Sequence, residues 1–184
     1  MKEKYILNIK AEERRGLLHL LTGTIEKRQV IIHSLSSAST DVHGVLMITI
    51  EIFATERELM TLSLKLENIV EVFQVEVTQY DKALCLRAAY FKMSKAFMES
   101  PQLSVMQKYN ATVVNFYADS VLIAKYGCDS AIKALYNQLE GPHLLGFIQS
   151  GLISDTTLID SDEDRVIHYR HIHNDNESLV RISA

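Results

Sequence analysis

Few residues of this sequence have the type and spacing to do chemistry. The turn Glu12-Glu13-Arg14-Arg15-Gly16 lies between an alternating apolar run and an amphipathic stretch that reads as a helix. A helix N-terminus offers unpaired backbone N–H groups and partial positive charge, so a carboxylate or phosphate is favoured beside it. A glycine there lets a ligand come close to the main chain, because no Cβ stands in the way. The amides around Gly16 and Leu17 are therefore candidates for holding a small anion-bearing ligand such as an amino acid. The plainer alternative is that Gly16 only makes the turn and Glu12 or Glu13 satisfies the helix end. His168, His171 and His173 are of metal-ligating type, but no acidic or cysteine partner stands at ligand spacing, and no metal site is expected. His19, beside Leu18 and Leu20, is expected to be half-buried. Cys85 and Cys128 lack the second-cysteine spacing of metal or redox motifs and read as buried free thiols.

Catalytic constellations are missing from the sequence. It holds no GxSxG elbow, no GxxxxGK[ST] loop, no HExxH and no GxGxxG after a strand. Paired carboxylates such as Glu12-Glu13 fall at solvent-facing ends. A chain with this much regular structure and no catalytic signature is expected to bind or regulate. The formal charge is -4, from 19 basic and 23 acidic residues, and the basic residues are dispersed, so no nucleic acid partner is expected. No apolar run approaches the roughly 20 residues that span a bilayer. MKEKYILNIK enters a strand without a signal-peptide core, so a cytoplasmic protein with no membrane partner is expected.

These residues need a frame, and 184 residues with 47% hydrophobic content can build one domain or two small ones. Tyr5, Leu7 and Ile9 alternate as in a strand. Leu17, Leu18, Leu21 and Ile25 share a helical face. Gln29 to Ser39 and Val45 to Phe53 flank turn residues 40–44 and predict a hairpin. Thr55 and Glu58 fit a capping box, followed by the stripe Leu59, Leu62 and Leu66 and a stop at Asn68. Ile69 to Thr78 returns as a strand. The order βαββαβ then recurs: a strand over Lys82 to Tyr90, a short helix capped by Ser100-Pro101, a hairpin of Thr112 to Phe116 and Ser120 to Tyr126, a helix from Cys128 or Asp129 with Ala131, Ile132, Leu135 and Leu139 inward, and a last strand over Leu144 to Ile153. The fold class is α+β, with two successive ferredoxin-like units over residues 1–80 and 81–153 and a tail over 154–184. Open sheet edges and a second strand rich in Val and Ile predict at least a homodimer.

The opening strand, polar turn, Gly16 and helix, followed by Ser34-Leu35-Ser36 where a similar ESL is usual, resemble the ACT domain of the acetolactate synthase small (regulatory) subunit. Ile69-Val70-Glu71-Val72 stands where that family closes its ACT unit, and Phe147-Ile148-Gln149-Ser150-Gly151-Leu152 is similar to the ending of its second unit. The resemblance covers about residues 4–153. It implies a non-catalytic subunit that binds the catalytic (large) subunit, raises its activity and confers feedback by a branched-chain amino acid, typically valine. Thiamine diphosphate, Mg²⁺ and FAD then belong to the catalytic partner, and this chain needs no cofactor. The resemblance also implies dimers through ACT domains. Their effector lies between Glu13, Gly16 and Leu17 of one protomer and Ile31 and Ile32 of the other.

The family commonly has asparagine at the positions of Glu13 and Ile31. Isoleucine can neither donate nor accept a hydrogen bond, and an ionised Glu13 repels a carboxylate, although Arg14 and Arg15 could offset part of this. Weak valine binding, another effector, or activation without feedback is the expectation. A stand-alone tandem ACT protein that senses an amino acid and regulates another enzyme is the alternative.

Overall fold

The computed structural model describes residues 1–155 and the two-residue strand Ile167–His168. The first unit runs β1 (Glu3–Glu12), α1 (Leu17–Glu26), β2 (Ile31–Ser39), β3 (Val45–Ala54), α2 (Glu56–Glu67) and β4 (Val72–Gln79). Its antiparallel strands stand in the order β4-β1-β3-β2, the ferredoxin-like arrangement. Alternate residues Tyr5, Leu7, Ile9 and Ala11 of β1 face one side, where they pack with Leu17, Leu21 and Ile25 of α1 and Leu59, Leu62 and Leu66 of α2. Each fully buried Leu or Ile there contributes about 1.5–3 kcal/mol. The predicted capping box is present: the Thr55 hydroxyl accepts from the Glu58 amide, and the Glu58 carboxylate accepts from the Thr55 amide at 2.8 Å.

A single 3-10 turn over Tyr80–Lys82 leads into the second unit. There β5 (Cys85–Ser94), α3 (Ser104–Lys108), β6 (Thr112–Phe116), β7 (Ser120–Gly127), α4 (Asp129–Leu139), β8 (Leu144–Gln149) and β9 (Ile153–Ser154) follow. The sheet order β6-β7-β5-β8 repeats the first plan. Its core holds Phe91, Met93, Phe97, Val121, Ile123, Ile132, Leu135 and Leu139. Ile167–His168 forms β10 and pairs with Val77 and Glu76 of β4. No helix among the described residues is long and apolar enough to cross a membrane.

Several sequence expectations require correction. The fifth strand begins at Cys85 rather than Lys82, because the 3-10 turn consumes Tyr80–Lys82. Ser100 does not cap by its side chain; its hydroxyl donates to the Phe97 carbonyl at 2.7 Å, and Pro101 opens a 3-10 turn that runs into α3. His19 is exposed, since it lies off the α1 face that carries Leu17, Leu21 and Ile25. Cys85 is buried, but Cys128 is exposed at the N-cap of α4. The final strand is broken: β8 pairs Gln149 with Ala89, whereas β9 pairs Ile153 with Leu86, which leaves one extra residue in the Ser150–Leu152 stretch. That is a β-bulge. Ser154 and Asp155 belong with the second sheet rather than the tail, the Asp155 amide donating to the Leu84 carbonyl at 3.2 Å. His171 and His173 lie outside the described residues.

Candidate functional site

The turn between β1 and α1 is shaped by backbone conformation first. Gly16 adopts φ 87°, ψ -5°, a left-handed conformation that disfavours any side chain. A Cβ built there would meet nothing within 4 Å, so the glycine serves the dihedral rather than a crowded contact. Its carbonyl starts α1 by accepting from the Leu20 amide at 3.0 Å, and the Leu17 amide donates to the Arg14 carbonyl at 3.2 Å. Neither Glu12 nor Glu13 caps the helix, which has no side-chain cap and no acidic residue in its first turn.

The turn is strapped to its neighbours on two sides. The Glu13 amide donates to the Gly44 carbonyl at 2.7 Å and the Glu12 amide to the Glu71 carbonyl at 2.8 Å. Arg14 pairs with Glu71 at 2.6 Å, which commits its guanidinium to the loop before β4. The Glu13 and Arg15 side chains are exposed, whereas the Leu17 side chain is 4% exposed and belongs to the core.

Ile31 and Ile32 sit elsewhere. Glu12 aligns with Val45 at one end of β3, and Ile31 aligns with Phe53 at the other. At about 3.3 Å per residue these levels are about 26 Å apart along the sheet. Ile31 is 66% exposed on the edge strand, while Ile32 packs against the core. One chain therefore does not bring the turn and the start of β2 together.

Sequence reasoning missed a second constellation, at the seam between the two sheets. Glu51 of β3 is completely buried and ion-pairs with both Lys4 of β1 and Arg87 of β5. Arg87 also reaches Asp129 at the start of α4 (2.6 Å), which accepts from the Tyr80 hydroxyl at 2.8 Å. Lys4 lies over the Tyr80 ring at 3.7 Å. The Ser34 hydroxyl donates to Glu51 at 2.8 Å, and Ser36 donates to the Leu152 carbonyl at 2.8 Å. Burial opposes ionisation of Glu51, yet the hydrogen bonds from Lys4, Ser34 and Arg87 prevail and hold its carboxyl below the usual range. At Asp129, too, burial is outweighed, by the Tyr80 hydrogen bond and by Arg87, and its carboxyl is lowered. Burial, with help from Asp129, raises the Tyr80 phenol. Burial likewise pushes the Cys85 thiol up to about 11. Behind the charges, Ile6, Cys85 and Leu152 form a small apolar cluster that belongs to both units.

The signal for this seam was in the sequence. Glu51 interrupts the apolar run VLMITIEIF, and Arg87 interrupts LCLRAAY. A charge inside a strand that reads as buried requires a partner. Among the described residues, no group of three or more His, Cys, Asp or Glu is placed to hold a metal ion.

No model of a known protein family matches the chain. The chain is 24% identical over 151 residues to an acetolactate synthase small subunit of Mycobacterium leprae, covering 82% of this chain and 89% of the relative. It is 24% identical over 139 residues to that of Bacillus subtilis, covering 74% and 81%. The crystal structure of the acetolactate synthase small subunit from Thermotoga maritima superposes with a TM-score of 0.74 at 13% identity, covering 83% of this chain and 96% of that one. The chain is a sequence relative of the acetolactate synthase small subunits, and its two ferredoxin-like units share the fold of the Thermotoga maritima protein.

Proposed function

We propose that this chain is the regulatory subunit of an acetolactate synthase in branched-chain amino acid biosynthesis. It docks on a thiamine-diphosphate-dependent catalytic subunit, raises its activity and responds to a small amino acid. Chemistry and cofactors belong to the catalytic partner. The observation that supports this reading most is that the sequence likeness extends over 151 residues and both units, well beyond any single motif.

Dimer geometry supports the effector part of the reading. The outer edge of β2 carries no Lys, Arg, Asp or Glu (IIHSLSSAS), the charges that usually discourage edge pairing. Antiparallel pairing of two β2 edges about a two-fold axis sets Ile31 of one protomer against the Ser39 end of the other. That end aligns with Leu46, next to the Glu12 level of the turn. The separation of about 26 Å along the strands in one chain is thereby removed across the pair. Glu13, Gly16 and Leu17 of one protomer then stand at the same end of the joined sheet as Ile31 and Ile32 of the second.

With isoleucine at 31 and Arg14 committed to Glu71, the polar end of valine meets fewer partners. Feedback by valine is weak or replaced by another amino acid. Co-expression with the catalytic subunit encoded by the same organism tests the assignment: a stable complex is expected on size-exclusion chromatography, and two separate peaks would refute it.

A further inference from the structure

The strand that forms the open edge of the first sheet also grips the second unit. Ile31 and Ile32 begin β2, and a register shift at His33 inserts one extra residue, so that Ser34 aligns with Glu51. Ser34 then reaches Glu51 at 2.8 Å and accepts from Arg87 at 3.5 Å. Leu35 packs on the first core, and Ser36, on the Ser34 side of the strand, donates to the Leu152 carbonyl. The second unit answers with a bulge of its own. Its extra residue turns the Ser150 carbonyl toward Arg87 at 3.3 Å and brings Gly151 against β2. A Cβ on Gly151 would stand 2.7 Å from the Ser36 Cβ and 3.3 Å from the Leu35 carbonyl. Ser34 of β2 thus touches both members of the buried Glu51–Arg87 pair, and Ser36 of β2 holds the Leu152 carbonyl of the second unit's bulge. Beside them lies an open groove of about 470 Å³, lined by Lys10, Ser36, Met47, Thr49 and Leu152.

We propose that β2 is the coupling strand between the units: its first residues form the edge, and Ser34–Ser36 clasp Arg87 and the Ser150–Leu152 bulge, so that rearrangement at the edge reorients the second unit. The proposal rests on the regulatory reading for its purpose, while its geometry stands on the seam alone. Spin labels at Lys65→Cys on α2 and Gln138→Cys on α4, in a Cys128→Ser background and diluted with unlabelled chain, read the distance between the units. The buried Cys85, with its raised thiol, stays unlabelled.

The edge is perturbed by Ile31→Lys. With the clasp intact, this substitution shifts the inter-unit distance by roughly 2 Å or more, the size of ordinary element shifts. Gly151→Ala wedges the clasp open and abolishes that response; Ser34→Ala/Ser36→Ala, which removes both clasping hydroxyls without adding bulk, abolishes it as well. An Ile31→Lys shift that is absent with the clasp intact, or equal with the clasp wedged open, overturns the proposal. No catalytic subunit enters these measurements. A failure of the regulatory reading registers separately, as an intact response in a chain that does not stimulate the enzyme.

Discussion

Arg87 of the second unit and Glu51 of the first form an ion pair in which both side chains are buried, 3% and 0% exposed. Charges this deep are costly to leave alone, because only paired and hydrogen-bonding groups compensate their desolvation. Arg87→Met therefore destabilises the protein by about 3 kcal/mol, the lower end of the range for breaking a buried pair, since Lys4 remains beside Glu51. The double substitution Glu51→Met/Arg87→Met recovers at least half of that loss, because Lys4 and Asp129, 3.4 Å apart, still neutralise each other. Urea unfolding of the four species measures the coupling; simple additivity would count against the seam as drawn.

The same seam sets an acid limit. Glu51 and Asp129 have folded-state carboxyls held below their ordinary values of 4.5 and 3.8. A lowered carboxyl contributes stability that is complete above its unfolded value and is lost as pH falls through the folded one. Stability should hold from pH 7 to about 5 and fall progressively below about 4.5. In Glu51→Gln/Asp129→Asn the decline is shallower, although the protein is less stable at pH 7. Parallel pH profiles for the two proteins would contradict this origin.

Gly16 offers a test confined to the backbone. Its φ of 87° lies in the left-handed region, and no atom would touch an added Cβ. Gly16→Ala should destabilise by about 1–2 kcal/mol, and Gly16→Asn by less, because asparagine tolerates that region. Thermal unfolding distinguishes the two, and equal melting temperatures for wild type and Gly16→Ala would show that the turn relaxes.

Much of the frame was readable in the sequence because local rules and tertiary packing agree there. Tyr5, Leu7 and Ile9 alternate toward the core, Thr55 and Glu58 close the capping box, and turn 40–44 joins its hairpin with Gly44 at φ 77°. What escaped depends on partners distant in sequence. Periodicity could not tell that Ser150–Leu152 leaves the β5 register by one residue, or that Ser34 and Ser36 serve the second unit. His19 is exposed because its sequence neighbours Leu18 and Leu20 also lie off the buried face of α1, and Cys128 because it stands at the N-cap of α4 rather than on its inward face. The turn into α1 falls at Gly16, where the sequence puts a helix start. The commitment of Arg14 to Glu71 and the distance from the turn to Ile31 emerged only from the assembled sheet.

The effector reading makes a prediction of its own. An absent polar partner in a partly buried site weakens binding by about 1–3 kcal/mol, or about ten- to a hundredfold. Ile31→Asn supplies an amide at the exposed start of β2 and should tighten valine binding by about tenfold, as measured by isothermal titration calorimetry. Micromolar affinity for valine in the unmodified protein would contradict the weakened site.

Regulation is measured most directly as acetolactate formation by the purified catalytic subunit of the same organism, titrated with this chain at saturating thiamine diphosphate, Mg²⁺ and FAD. A regulatory subunit gives a saturable rise in activity that levels off at a fixed ratio of the two chains. A rate unchanged across the whole titration would contradict that role.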